Sequence, residues 1–281
     1  MLKVAIVILN FKLKDQTIKC INSVKKSSYK NLDIIIVDNN SGDGIGEDLK
    51  KISGINFIQN TENLGYTGGN NIGIKMALKN RADWVFILNP DTTIEQNTIT
   101  NLLNSSQQDR IGIICPKIYF SESKKIWYAG GIFDMQNVLG RHRGIDEVDI
   151  GQYDNVTETD YATGAAMFIK KEVFDKIGLF DSRYFLYYED ADFSMRTKHA
   201  GFKILYNPAA IIFHKNAQTT GLGSPLQDYY ITRNRLLFAS KFLPLRTRFA
   251  LLREAWHHRQ IPARRKALID VFLGKFGKGE I

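Results

Sequence analysis

VAIVILNFK (residues 4–12) and IIIVDNNSGDG (34–44) are built alike: an apolar, β-branched run of strand length that ends abruptly in amides and carboxylates. Runs without polar alternation are what parallel strands buried on both faces look like. Three more such runs follow at 55–58, 84–88 and 111–114. Between them lie 15–26, 46–52, 69–78 and 95–104, with apolar residues near helical spacing. The alternation predicts an α/β fold with a right-handed, mostly parallel central sheet flanked by helices. In such sheets ligands bind beyond the carboxyl ends of the strands. Asn10-Phe11, Asp38-Asn39-Asn40-Ser41 and Asn89-Pro90-Asp91 all fall there. No GxGxxG follows the first run, so the dinucleotide fingerprint is absent.

Beyond residue 118 the pattern changes to Gly, aromatic and charged residues without helical period, as in short strands and long loops. A strand at 165–169, a helix at 170–177 and a turn at 178–181 are predicted next. A helix over 190–200 stops at Gly201, short strands run at 204–206 and 210–213, and everything from 227 onward reads as helical and basic. The 281 residues, 44% apolar and 24% charged, suit a globular protein with a sizeable core. Cys20 and Cys115 sit in apolar runs without metal-ligand spacing and read as reduced core residues of a cytosolic protein. The first apolar run is too short for a membrane span and lacks a cleavage site, so neither a signal peptide nor an integral membrane protein is expected.

Three groups of residues carry chemistry. Asp91, at the end of an apolar strand and beside a proline, can take a hard divalent cation that also bridges to substrate phosphates. It can equally open a helix starting near Ile94. Glu189, Asp190 and Asp192 follow a run of aromatics; crowding and low polarity raise carboxylate pKa values, which makes a base of one of them. Acidic residues also suit a helix N-terminus, so capping and catalysis coexist in this reading. His214 ends the run IIFH and is either structural or a ligand.

The blocks VAIVILNFK, IIIVDNNSGDG, NLGYTGGNNIGI, WVFILNPDTT, ATGAAMFIKKEVFDKIGLFD, FLYYEDADFSMR, IIFHK and YYITRNR occur in this order over residues 3–240. Together they resemble glycosyltransferase family 2, and within it the rhamnosyltransferase-like branch that builds surface polysaccharides. The resemblance implies an inverting enzyme of GT-A fold, with a catalytic domain over 1–225 (a nucleotide-binding half to about 115, an acceptor-binding half from 116) and a helical extension over 226–281. It implies that Asn10, Phe11, Asp38 and Asn39 line a pyrimidine nucleoside pocket, and that Gly65, Gly69 and Asn70 let backbone approach the nucleotide sugar. Thr163 and Gly164 would sit beside the donor sugar, with Asn89 and Asp91 at its diphosphate. Asp190 would be the base, with Glu189 beside it on the acceptor side, and Asp91 and His214 would hold Mg²⁺ or Mn²⁺. Two positions depart from the common pattern: Asn89 leaves the metal motif one carboxylate short, and residue 39 is Asn where a second Asp is common, although an amide oxygen still accepts from a pyrimidine N–H.

Arg233 and Arg235 are either diphosphate contacts, on the donor or on a polyprenyl-diphosphate-linked saccharide acceptor, or plain helix charge. Residues 241–281 hold ten Lys and Arg against three Asp and Glu, so most of the net +9 lies there. This basic amphipathic stretch suits an anionic bilayer, placing the protein on the inner face of the cell membrane. Packing on the domain or on a second copy in a homodimer is the alternative. The rival classes are a sugar-nucleotide pyrophosphorylase, which should carry a basic Gly-rich loop where NFKLKD stands, and a non-catalytic carbohydrate- or nucleic-acid-binding module. The carboxylates of the body speak against nucleic acid.

Overall fold

β1 (Val4–Asn10), α1 (Lys14–Lys25), β2 (Leu32–Asp38), α2 (Ile45–Leu49), β3 (Ile55–Gln59), α3 (Gly65–Lys79) and β4 (Trp84–Leu88) form the alternation read from the sequence. A computed structural model describes residues 1–121, 123–215 and 223–280. The four strands are parallel in the order β3-β2-β1-β4. The chain moves outward from β1 to β3 and then returns to the other side of β1, so the ends of β1 and β4 flank a topological switch point. Val4 to Ile8 are fully buried, as an unbroken apolar run requires. Helix α3 lies so close to this sheet that a Cβ on Gly73 would stand 2.4 Å from Val7, and one on Gly69 2.4 Å from Leu9.

The second half comprises β5 (Thr92–Ile94), α4 (Thr98–Ser105), β6 (Ile111–Phe120), β7 (Ile126–Tyr128), β8 (Gly131–Asp134), β9 (Leu139–His142), β10 (Thr157–Glu158), β11 (Ala166–Lys170), α5 (Lys171–Ile177), α6 (Glu189–His199) and β12 (Lys203–His214). Its strands extend the same sheet, apart from β8 and β9, which pair with each other in a separate two-stranded sheet. β11 enters antiparallel between β4 and β6, and β12 runs parallel to β6. Stacking of Phe168 on Trp84 at 4.6 Å and its edge contact with Phe86 seal the β11–β4 seam.

Two local expectations change. The strands expected at 204–206 and 210–213 are one strand, β12, with a register shift between Asn207 and Ile211. Pro208 cannot donate to the ladder, and Asn207 holds the irregularity by donating to Asn101 O and Ser105 Oγ, both at 2.8 Å. The segment after Asp91 opens no helix. Thr92–Ile94 is strand β5, pairing antiparallel with β12 so that Thr92 faces His214, and α4 begins only at Thr98.

Helices α7 (Pro225–Phe242), α8 (Leu245–His257) and α9 (Pro262–Phe272) complete the described chain. Ser224 caps α7 by accepting from Gln227 N, with Pro225 in the first turn. α7 is built into the body rather than appended to it: Leu236, Leu237 and Phe238 are buried with Tyr184 and Ala191.

Substituting Gly73→Val drives a branched side chain into Val7. A loss of about 1–3 kcal/mol in urea unfolding is expected; an unchanged midpoint would mean that α3 stands off the sheet freely.

Candidate active site

The ends of β1 and β2 meet in a closed polar network. Asn10 Nδ2 donates to Asp38 Oδ1 at 2.6 Å, to Ser41 Oγ at 2.9 Å and to Asp43 Oδ2 at 3.0 Å. Gln59 Nε2 donates to Asp38 Oδ2 at 2.6 Å, and the Ser41 N–H and hydroxyl also reach this carboxylate. Burial raises the Asp38 carboxyl, but the bonds from Ser41, Asn10 and Gln59 outweigh it and hold its pKa below the ordinary range. Asp38 is thus a fixed, ionised acceptor at the strand end, with Phe11 half-buried beside the same turn.

Asn39 has a different task from the one expected. Its Oδ1 accepts from Asn60 Nδ2 and Leu64 N, both at 3.0 Å, and its Nδ2 donates to Asn63 Oδ1 and Gly65 O. The amide is buried and spends itself on tethering the 60–65 loop to β2. The two glycines likewise make room for protein. Gly65 has φ +70 and a Cβ there would overlap Phe185 at 2.5 Å, whereas Gly69 makes room for Leu9. Asn70 donates to Tyr66 O at 3.0 Å, while its Oδ1 is buried without a partner.

Asp91 and His214 come together at one end of the β5–β12 pair, before the start of β5 and at the end of β12, with Oδ1 and Nε2 3.1 Å apart. They line a cleft of about 450 Å³ whose rim includes Gln16, Lys19 and Lys215. His214 is buried, Trp127 packs edge-on against it at 4.5 Å, and His142 also packs edge-on against the indole at 4.2 Å. Burial lowers the His142 pKa to about 4, so its imidazole is neutral at pH 7. Among the described residues no three His, Cys, Asp or Glu side chains converge into a closed metal cage. One carboxylate and one imidazole facing each other in an open cleft are an incomplete donor set, of the kind in which a hard cation keeps waters and substrate oxygens as further ligands.

Asp190 lies in the first turn of α6. Gly164 N donates to its Oδ2 at 3.0 Å and Ala191 N to its Oδ1 at 2.7 Å, so both oxygens are oriented by backbone. Burial raises the Asp190 pKa; the backbone donors oppose this without cancelling it. Glu189 is raised further, by burial first and then by the charges of Asp190 and Asp192, and its Oε2 is buried without a partner. Two buried carboxyls this close titrate as a pair, and burial raises both. The third carboxylate is structural: Asp192 is fully buried and engaged by Arg196 at 2.7 Å, by Lys241 and by Tyr184.

Thr163 and Gly164 join the two carboxylate centres. Asn89 N donates to Ala165 O at 2.9 Å at one end of this short segment, and Gly164 N binds Asp190 at the other. The Tyr66 hydroxyl donates to Gly164 O, tying in the start of α3; nothing in the sequence marks this tyrosine. Trp127 also escaped the sequence reading, lying where no periodicity organises the chain. The Asp192–Arg196 pair was legible as an i, i+4 spacing.

Arg233 and Arg235 are not placed for a diphosphate. Arg233 is fully buried and donates to the carbonyls of Arg183, Tyr184 and Gly277. Arg235 forks onto Glu254 and donates to Asn137 O. Each guanidinium is already committed within the chain.

An α/β sheet with a switch-point pocket, a carboxylate–imidazole pair in one cleft and a raised carboxylate pair nearby defines a group-transfer enzyme acting on a polar ligand. Residues 4–178 match the family described as glycosyl transferase family 2, and the chain belongs to it. It is 28% identical over 235 residues to the low-salt glycan biosynthesis hexosyltransferase Agl10 of Haloferax volcanii, covering 80% of this chain and 75% of that one. It is 25% identical over 222 residues to the N-acetylglucosaminyl-diphospho-decaprenol L-rhamnosyltransferase of Mycobacterium tuberculosis, covering 71% of each. Among solved structures, the mannosyltransferase PcManGT of Pyrobaculum calidifontis, in complex with GDP-Man and Mn²⁺, superposes with a TM-score of 0.62 at 13% identity, over 99% of this chain and 76% of that one. GalNAc-T7 with UDP, GalNAc and Mn²⁺ gives the same score at 17% identity over 84% of this chain, which spans about half (51%) of that protein. The fold is GT-A and the protein is a glycosyltransferase.

Glu189 carries a pH signature. Its folded pKa lies above the unfolded value of 4.5, so the stability it contributes is complete below that value and is lost as pH rises toward the folded pKa. Glu189→Gln removes this loss. The melting temperature of the variant relative to the parent is expected to climb as pH rises above 4.5; a difference that stays flat above that pH contradicts the buried-carboxyl assignment.

Proposed function

We propose that the enzyme moves a sugar, with inversion, from a nucleotide-diphosphate donor to a hydroxyl of a saccharide acceptor carried on a polyprenyl diphosphate. The observation that carries this is the Asp190 carboxylate: oriented by two backbone N–H groups, raised by burial and set beside a second buried carboxyl. Such a group accepts a proton from an alcohol as it attacks. The acceptor oxygen bonds to C1 of the donor, the C1–O bond to the diphosphate breaks, and the acceptor proton passes to Asp190. One base on the acceptor side and no covalent intermediate give inversion.

Asp91 and His214 are suited to hold Mg²⁺ or Mn²⁺, which would supply Lewis-acid neutralisation of the leaving diphosphate. Both structural neighbours hold Mn²⁺, which supports this reading. Asp38 would take a nucleoside N–H donor in exchange for one of its present partners, with Asn10 fixing the carboxylate and Phe11 offering a ring face. Asn39, Gly65 and Gly69 support the donor pocket from behind. A further relative, the dTDP-rhamnosyl transferase RfbF of Shigella flexneri, favours dTDP-rhamnose as donor, the UDP bound by GalNAc-T7 favours a UDP-sugar, and the decaprenol-linked acceptor of the mycobacterial relative favours a lipid-linked one.

That acceptor calls for a membrane surface. No helix among the described residues is long and apolar enough to cross a bilayer. Leu245, Phe249 and Trp256 are exposed along α8, with Arg246, Arg253 and Arg259 exposed among them. Apolar anchors interleaved with arginines suit the headgroup region of an anionic leaflet, which supports a peripheral position on the inner face of the cell membrane.

Asp190→Asn is expected to leave donor binding nearly intact while abolishing transfer; turnover within about tenfold of the parent would sink the assignment. The protein is expected to sediment with vesicles containing anionic phospholipid, less so with rising salt, and Phe249→Glu with Trp256→Glu should release it. Equal binding to purely zwitterionic vesicles removes the electrostatic part of the reading.

A further inference from the structure

The 183–188 segment, which leads into Asp190, has a backbone it cannot hold alone. Phe185, Tyr187 and Tyr188 adopt φ of +61, +68 and +70, a left-handed region unfavourable for aromatic residues. Tyr188 is also the N-cap of α6 and offers no side-chain cap bond. Something outside the segment therefore imposes its shape.

Arg233 and Asn234 of α7 supply that constraint. Arg233 Nη2 donates to Arg183 O and Tyr184 O, both at 3.1 Å. Asn234 Nδ2 donates to Tyr184 O, Leu186 O and Tyr187 O at 2.7 to 2.9 Å. No carboxylate pairs with Arg233 among its described contacts. Its charge is met by carbonyls and by the rings of Tyr229, Tyr230 and Phe276, with its centre 4.9 to 5.8 Å from their centroids. The residues 275–280, after α9, close the arrangement. Arg233 Nη1 donates to Gly277 O at 2.8 Å, Gly277 N donates to Arg183 O at 2.8 Å, and Gly279 N donates to Tyr230 Oη at 2.9 Å. On the far side Phe185 stacks on Tyr230, and its carbonyl accepts from Tyr66 N at 2.7 Å.

We infer that Arg233 is a positioning residue for glycosyl transfer: the 275–280 segment clamps it onto the 183–188 carbonyls, and that clamp fixes the start of α6 and hence Asp190. A buried charge serving stability alone could be replaced by apolar packing. Here the guanidinium and the Asn234 amide are both spent on the carbonyls of the strained turn that precedes the base. The inference rests on Asp190 being the base.

Two glycines let the clamp be loosened without substituting any residue of α7. Gly277 has φ +82, which Val resists and Asn tolerates better; a Cβ on Gly279 would stand 2.5 Å from the Tyr229 ring. Gly277→Val, Gly277→Asn and Gly279→Ala are made in the full chain. Turnover is read as nucleoside diphosphate release from the fastest donor of a UDP-sugar and dTDP-sugar panel. It is normalised to the number of sites that bind the corresponding nucleoside diphosphate by calorimetry, so that unfolded protein does not count. Gly277→Val and Gly279→Ala are expected to lose about tenfold or more in kcat per competent site with donor KM within about twofold, and Gly277→Asn to retain most of the activity. A loss below about threefold per competent site in both Gly277→Val and Gly279→Ala, or one in which donor KM rises in step, overturns the inference. Asp190→Asn separates the two claims. If it still turns over, the base assignment falls whatever the glycine variants do; if it is inactive while they are not impaired, only the clamp falls.

Discussion

β11 runs antiparallel between β4 and β6, and this one insertion joins the halves of the molecule. The strand brings Thr163–Ala165 to the carboxyl end of β4, where Asn89 N finds Ala165 O. From the same short segment Gly164 donates to Asp190 and accepts from Tyr66. Three elements far apart in the chain, the β4 turn, the start of α6 and the start of α3, are thereby held around one backbone stretch. Without the Trp84–Phe168 seam beneath it, neither the Asp91 centre nor the Asp190 centre has a fixed relation to the other.

The two centres differ in how their polarity is handled. Around Asp38 every oxygen is answered by a donor, so burial is overruled and the carboxylate stays ionised. Around Glu189 the donors are too few, burial wins and the carboxyl is raised. Asp190 sits between these extremes with two backbone donors against burial. Binding favours the first condition and proton transfer the last, so the difference in donor count matches the roles proposed for Asp38 and Asp190.

Much of the scaffold is spent on support. Asn39, Gly65, Gly69, Asp192, Arg233 and Asn234 have the residue types of a binding site, yet their polar atoms or missing side chains serve neighbouring backbone and packing. A site that must hold two carboxyls side by side against repulsion needs rigid surroundings, and buried hydrogen bonds to backbone carbonyls provide them.

The sequence by itself determined the parallel alternation from β1 to β4, because runs such as VAIVIL and IIIV can only be buried on both faces. It also located Asp38, Asp91 and Asp190 at the ends of elements, since a polar residue closing an apolar run must lie where the strand leaves the core. The family resemblance was legible in the order of eight blocks. Tertiary structure alone decided that β11 enters antiparallel, that Thr92–Ile94 is a strand against β12, and that Asp91 meets His214 across 123 residues of chain. It also decided that Arg233 faces carbonyls and not a diphosphate. Pairing partners and burial are properties of two segments together, and a local pattern constrains only one of them.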